Sequence, residues 1–127
     1  MVAFTKTFSG MSSNDIAASR KFYEGVLGLT VTDAGMGNIL IHLGESHRVL
    51  IYPKDNHEPA SFTVLNFVVD DIDAAVDDLV SKGVVIAQYG MPHQDAKGIA
   101  RGKPSNQGPD IAWFTDNAGN ILSVLYN

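Results

Sequence analysis

Histidine is the side chain in this sequence best suited to proton transfer or metal binding. His42 and His47 flank a predicted turn that contains Glu45, so one hypothesis places a displaced divalent metal there. His93 stands near Asp95 in a long loop, where it is a candidate catalytic general base. The alternative is that these histidines are solvated or hydrogen-bonded surface residues.

Basic side chains are concentrated in the same long loop, which runs from Met91 to Gly108. Lys97, Arg101 and Lys103 fall within seven positions of a chain that has nine Lys and Arg residues in all. Such a cluster could bind an anionic group of a ligand, and Arg101 is our candidate for that contact. A solvated flexible loop is the alternative interpretation.

Composition excludes several classes of function. The chain has 127 residues, a formal net charge of −5 and 45% hydrophobic residues, which is enough for one domain with a buried core. No basic field exists to attract nucleic acid or an anionic membrane surface. Zero cysteines exclude disulfides and thiolate metal sites. The first ten residues do not resemble a secretory signal and no apolar run is long enough to span a bilayer, so we expect a cytoplasmic protein.

Two stretches of the chain follow one plan of strand, acidic cap, helix and glycine. They are Phe8 to Leu29 and Val64 to Val84. Apolar residues recur at helical spacing in both, which predicts two amphipathic helices. The acidic series on the second helix, which includes Asp73 and Asp77, is interpreted as a solvated face. The predicted N-caps are Asn14 or Asp15 for the first helix and Asp70 for the second, and the predicted C-terminal caps are Gly28 and Gly83.

Short β-branched or aromatic runs between turn residues predict the strands. These runs are Asn38 to Leu43, Val49 to Tyr52, Phe62 to Val69, Ile111 to Phe114 and Ile121 to Tyr126. The order is then β-α-β-β-β twice, an α+β fold with about eight strands and two helices. We expect a single domain over residues 1–127, with module one at about 1–57 and module two at about 58–127.

Three segments of the sequence, taken in order, resemble a known family. Asp15-Ile16 followed by FYEGVLGL, then VVDDIDAAVDDLVSKG, then FTDNAGNILSVLY resembles the vicinal oxygen chelate superfamily, which includes glyoxalase I, extradiol dioxygenases and bleomycin-resistance proteins. The resemblance covers nearly the whole chain. It implies two tandem βαβββ modules that form a curled mixed sheet around a central cleft, where members bind their ligands.

Metal-bearing members of that superfamily use His and Glu ligands on strands. The resemblance places these positions at Phe8, at Val64, at Ser123 and within Leu50 to Tyr52. None of these is a strong metal ligand. We therefore expect no metal and no cofactor, with a divalent metal as the alternative.

The same strands predict the residues of a ligand site. Strand alternation directs Phe8, Trp113, Asn66 and Ser123 toward the cleft, and Tyr52 and Tyr89 add aromatic area. A carboxamide among apolar neighbours needs a hydrogen-bonding partner, which a ligand, Ser123 or the backbone could supply. The alternative is that the aromatic rings simply fill the space between sheets.

The leading hypothesis is a metal-independent small-molecule binding protein that holds a partly aromatic ligand in the inter-module cleft. One alternative is a glyoxalase-like lyase or dioxygenase with a metal displaced to a histidine. Another is a metal-free acid–base enzyme that uses His93, so enzymatic activity is left open. An isolated module cannot close its sheet, and the resemblance implies that modules pair either within a chain or between chains. We therefore also expect a homodimer, with the choice between these two pairings left open.

Overall fold

The computed structural model describes residues 1–127, which divide into two compact units, Met1–Glu58 and Pro59–Asn127. Each unit contains one four-stranded mixed sheet with helical structure on one face. The repeated βαβββ order and the α+β class predicted from the sequence are confirmed. No helix in the chain is both long and apolar enough to cross a membrane.

The first unit has strand order β1-β4-β3-β2, with β1 parallel to β4 and the other neighbours antiparallel. Its elements are β1 (Ser9–Ser13), α1 (Ile16–Arg20), a π-helical turn (Lys21–Val26), β2 (Thr30–Asp33), β3 (Ile39–Leu43) and β4 (His47–Pro53).

The helical segment of this unit starts as predicted and ends differently. Asp15 caps α1, since its carboxylate accepts a hydrogen bond from the Ala18 amide at 3.0 Å. Past Arg20 the backbone widens into the π-helical turn, which the apolar spacing alone does not distinguish from an α-helix. Gly28 then takes a left-handed φ of +68°, as expected of a C-terminal cap.

The second unit has strand order β5-β8-β7-β6, again with one parallel pair, β5 with β8. Its elements are β5 (Thr63–Val68), α2 (Ile72–Ser81), β6 (Ala100–Arg101), β7 (Asp110–Thr115) and β8 (Ile121–Tyr126).

The cap of α2 is one residue later than predicted. Asp71, and not Asp70, is the N-cap, because its backbone is extended and its side chain accepts from the Ala74 amide at 3.0 Å. The buried face of the helix comprises Ile72, Val76 and Leu79. It packs on β8 and β7, so this side of the sheet forms the core of the unit.

Strand alternation gives the second sheet two different faces. Leu122 and Val124 of β8 are buried on the side that α2 covers. Ser123 and Leu125 therefore point to the opposite side, because successive side chains of a strand alternate. We call that opposite side the open face of the unit, since no helix of the unit covers it.

The long loop from Met91 to Gly108 is not a featureless segment. It contains β6, which pairs with the start of β7, and an isolated bridge between Gln94 and Ala100. Ile99 and Ala100 are buried. The loop is therefore built into the sheet edge.

Candidate ligand-binding site

Three of the predicted site residues lie side by side on the open face of the second unit. The strand register pairs Trp113 of β7 with Ser123 of β8, and Ser123 with Asn66 of β5. The three side chains therefore form one row across the sheet, with an aromatic ring at one end and a carboxamide at the other.

The indole of Trp113 extends across β8. Its Nε1–H donates to Oγ1 of Thr63 on β5 at 3.2 Å, and Thr63 pairs with Ile121, two residues from Ser123. A register shift between Thr63 and Leu65 puts the Thr63 side chain on the open face. Strict alternation from Asn66 directs Thr63 to the other face, because the sequence contains no signal for this bulge.

Tyr89 forms an aromatic pair with Trp113. The ring centroids are 5.5 Å apart and the planes meet at 66°, an edge-to-face arrangement. Tyr89 is 52% exposed, and Trp113 is of intermediate exposure. The pair therefore presents apolar aromatic area to solvent, the kind of surface that holds a flat ring.

Asn66 supplies the polar end of the row. Ser123 is fully buried and its hydroxyl donates to Asn66 Oδ1 at 2.5 Å. Asn66 itself is exposed. Because its oxygen is engaged by Ser123 and the residue is exposed, the two N–H donors of the carboxamide can bind an acceptor atom.

Phe8 and Tyr52 belong to the first unit. Tyr52 lies on β4 opposite Ser12 of β1, and Ser12 Oγ is 2.6 Å from His57 Nδ1. Phe8 immediately precedes β1 and is 59% exposed, while Tyr52 is 41% exposed. Both rings are accessible in their own unit, and their role in ligand binding stays a prediction.

Arg101 lies on the helix side of the second sheet, away from the row on the open face. Its guanidinium donates to Asp73 on α2 at 2.8 and 3.1 Å and to Asp95 at 3.0 Å. These hydrogen bonds, the one with Asp73 first, raise the pKa of Arg101 above its usual value. The structure thus gives this side chain internal partners, and its contact with a ligand stays a prediction.

The acidic residues of α2 are not simply a solvated face. Lys97 Nζ is 2.9 Å from Asp77 and 3.1 Å from Asp73. Hydrogen bonds from Arg101 first, and from Lys97 second, lower the pKa of Asp73 to about 2. The loop and α2 are therefore joined by ion pairs, which only the folding of the loop onto the helix could create.

His93 is an exposed residue of the loop with a left-handed φ of 67°. Asp95, its expected partner in acid–base chemistry, accepts hydrogen bonds from the amides of Lys97 and Ile99 and from the Arg101 guanidinium. That carboxylate holds the loop together. A catalytic role for His93 stays a prediction.

The side chains present do not fit a divalent metal ion. The positions where the resemblance implies ligands offer phenyl, isopropyl and hydroxyl groups at Phe8, Val64 and Ser123. No group of three or more His, Asp or Glu side chains in the chain is arranged to hold a metal. At the hairpin, His42 Nε2 bonds instead to Thr32 Oγ1 at 2.9 Å.

The cavities of the units include two that none of the predicted site residues lines. The first unit has a cavity of about 440 Å³ beside α1, lined by residues that include Arg20 and Asp33. The second unit has one of about 610 Å³ between α2 and the segment that follows it. The candidate site is the open sheet face, which neither of these two cavities includes.

The sequence profile of the Glyoxalase/Bleomycin resistance protein/Dioxygenase superfamily matches residues 8–124. The chain belongs to this superfamily. Membership confirms the resemblance drawn from the sequence motifs. It accounts for the two βαβββ units, and it leaves the ligand and the chemistry of this member to be argued from its own residues.

Several solved structures share the fold at low sequence identity. TnmS3, an antibiotic-binding protein from Streptomyces sp. CB03234, is 17% identical with a TM-score of 0.69, and the match covers 99% of this chain and 98% of that one. A lactoylglutathione lyase from Agrobacterium tumefaciens is 18% identical with a TM-score of 0.64, over 98% and 93%.

A superfamily member from Sphaerobacter thermophilus is 19% identical with a TM-score of 0.66, over 97% and 98% of the two chains. No curated protein matches the chain. At these identities the structural matches establish the fold alone.

Proposed function

We propose that this protein binds a small, partly aromatic molecule on the open face of its second sheet, and that it does so without a metal ion. The observation that carries the proposal is the row of Trp113, Ser123 and Asn66, with Tyr89 at the edge of the indole. A ring of the ligand would contact the aromatic pair, and a carbonyl or other acceptor would take the Asn66 N–H groups.

Two further observations support binding in place of metal-assisted catalysis. The strand positions at which the resemblance implies metal ligands hold Phe8, Val64 and Ser123, whose side chains do not suit a divalent metal ion. One relative of the same fold, TnmS3, is an antibiotic-binding protein. A binder of small organic molecules needs apolar area and a few placed polar groups, which this face has.

The test is a titration followed by tryptophan fluorescence. Trp113 is the single tryptophan of the chain, so any change in signal reports from the row itself. The probes are metal-free bleomycin, doxorubicin and a pooled library of aromatic natural products, with calorimetry to confirm each hit. We expect at least one saturable change, unaltered by a chelator.

The matched variants are Asn66→Ala and Asn127→Ala. Loss of the Asn66 donors should weaken binding about 2- to 10-fold, the equivalent of one hydrogen bond, and Asn127→Ala at the exposed C-terminus should change nothing. A flat signal with every probe, or a saturable signal that Asn66→Ala leaves intact, would overturn the proposal. Binding that requires added divalent metal would overturn its metal-free part.

We also propose that the protein acts as a cytoplasmic homodimer with a small-molecule ligand as its partner. The absence of cysteine is in keeping with a reducing compartment. The open sheet face leaves apolar side chains such as Val68, which is 66% exposed, for a second surface to cover. Light scattering of the purified protein tests the dimer, and a monomeric mass at micromolar concentration would contradict it.

A further inference from the structure

Gln94 lies in the long loop, and its side chain bonds to the backbone of the preceding segment, which carries Tyr89. Its Oε1 accepts from the amides of Tyr89 at 3.0 Å and Met91 at 3.5 Å. Its Nε2 donates to the carbonyls of Ala87 and Gly98, both at 2.9 Å. All four hydrogen-bonding positions of the carboxamide are thus used on the backbone, on both sides of Gln94 in the chain.

These bonds fix the chain where it passes the sheet. The Ala87 amide donates to the carbonyl of Trp113 at 2.8 Å, so this residue is attached to β7 at the position of the indole. Tyr89 follows two residues later, and Gln94 bonds to both Ala87 and Tyr89. The ring of Tyr89 is therefore held at the edge of Trp113 by backbone hydrogen bonds and by the Gln94 side chain, and not only by contact between the two rings.

The far side of the loop is anchored independently. Arg101 bonds to both Asp95 and Asp73, and Lys97 bonds to Asp73 and Asp77 on α2. The loop cannot shift along the sheet without breaking these ion pairs. Gln94 thus connects an anchored loop to the backbone of the exposed aromatic residue.

We propose that Gln94 is a positioning residue for ligand binding, because it holds Tyr89 in place against Trp113 before the ligand arrives. The proposal rests on the proposed function, since the aromatic pair is the surface to which the ligand ring binds. A Tyr89 that is ordered in advance spares the ligand the cost of ordering that residue. From the entropy of fixing about one residue, we expect loss of the Gln94 side chain to weaken binding about 5- to 30-fold.

The first arm of the experiment needs no ligand. In Gln94→Ala, the near-ultraviolet circular dichroism of the Tyr89–Trp113 pair should fall, and acrylamide should quench Trp113 fluorescence more strongly. Tyr89→Leu should produce the same two changes, and the double variant should add little to either single one. Gln107→Ala is the matched control, since Gln107 is an exposed glutamine of the same loop.

Gln94→Glu provides a rescue that a merely structural effect would not mimic. A carboxylate keeps the acceptor for the Tyr89 amide and loses the donors to Ala87 and Gly98. When the pH falls below the usual glutamic acid pKa of about 4.3, the protonated acid regains one donor. The Trp113 signal of this variant should then return toward the wild-type signal. This variant also carries the test if Gln94→Ala fails to fold.

The second arm is calorimetry with whichever of the named probes, metal-free bleomycin or doxorubicin, binds the wild-type protein. Weakening in Gln94→Ala and Tyr89→Leu, with no change in Gln107→Ala, supports the inference. A folded Gln94→Ala with wild-type dichroism and quenching would overturn it. If no probe binds the wild type while the ligand-free changes occur, the proposed function fails and the positioning of Tyr89 by Gln94 stands.

Discussion

Ser123→Ala is the substitution whose effect follows most directly from the structure. The Ser123 side chain is fully buried, and its hydroxyl donates to Asn66 Oδ1 at 2.5 Å. Alanine removes one oxygen and leaves the packing of the methylene unchanged. The acceptor on the exposed Asn66 can turn to water, so no buried polar group is left unsatisfied. The cost is that of one neutral hydrogen bond, about 1 kcal/mol.

That cost converts to a measurable shift in melting temperature. With an unfolding entropy of about 2 cal/mol/K per residue, a chain of 127 residues loses about 4 °C for each 1 kcal/mol. Far-ultraviolet circular dichroism during heating and in urea gives both numbers. Ser61→Ala, at an exposed serine, should stay within about 0.5 kcal/mol of wild type.

Two results would refute this reasoning about Ser123. A loss above about 3 kcal/mol would mean that the substitution leaves an unsatisfied group or a collapsed site, and that the Asn66 oxygen does not reach water. No loss at all would mean that the hydroxyl contributes nothing to holding Asn66. In either case the donors of Asn66 would not be presented in the way the ligand site requires.

Two further predictions concern the loop and the turns. The pKa of Asp73 is about 2 in the folded protein against an ordinary value of 3.8, so its stabilising effect is present above about pH 4 and is lost as the pH falls toward 2. In Asp73→Asn, the free energy of unfolding should therefore depend less on pH in that range. Parallel plots of unfolding free energy against pH for the variant and the wild type would contradict this. Gly98 and Gly44 both have a left-handed φ, of +88° and +64° respectively. A Cβ added to Gly98 would lie 2.5 Å from Ile86 Cγ2, whereas a Cβ added to Gly44 would have no other atom within 4 Å. In urea unfolding, Gly44→Ala should lower the free energy of unfolding by about 1 kcal/mol and Gly98→Ala by more than that. Equal losses would show that the loop moves enough to relieve the steric clash with Ile86.

The row on the open face shows how far strand alternation carries a sequence-based prediction. Alternation within their strands predicts that Asn66, Trp113 and Ser123 share one face, and the register places them side by side. Alternation does not predict Thr63 on this face, because the bulge adds one residue to β5 and so reverses the direction of the side chains that precede it. Alternation predicts faces within an uninterrupted strand and fails at the first irregularity.

The ion pairs of the long loop could not be predicted from the sequence. Its basic residues suggested an anion site, yet Lys97 and Arg101 bond to acidic residues of α2 that precede them by about 20 to 28 positions. Nothing in the local sequence indicates which oppositely charged groups will meet. Ion-pair partners are set by how the loop folds back, which depends on the burial of Ile99 and Ala100 at the sheet edge.

The sequence by itself determined most elements of this protein and their order, with the π-helical turn and β6 as the exceptions. Helical and strand periodicities, acidic caps and glycines at left-handed positions are local properties, because they depend on neighbours within a few residues. Only the tertiary structure decided that the Trp113 indole crosses a strand to reach Thr63, that Tyr89 meets its edge, and that Gln94 holds the two together. Those contacts join residues 5 to 50 positions apart, so their formation depends on strand register and loop path. No local pattern in the sequence encodes either.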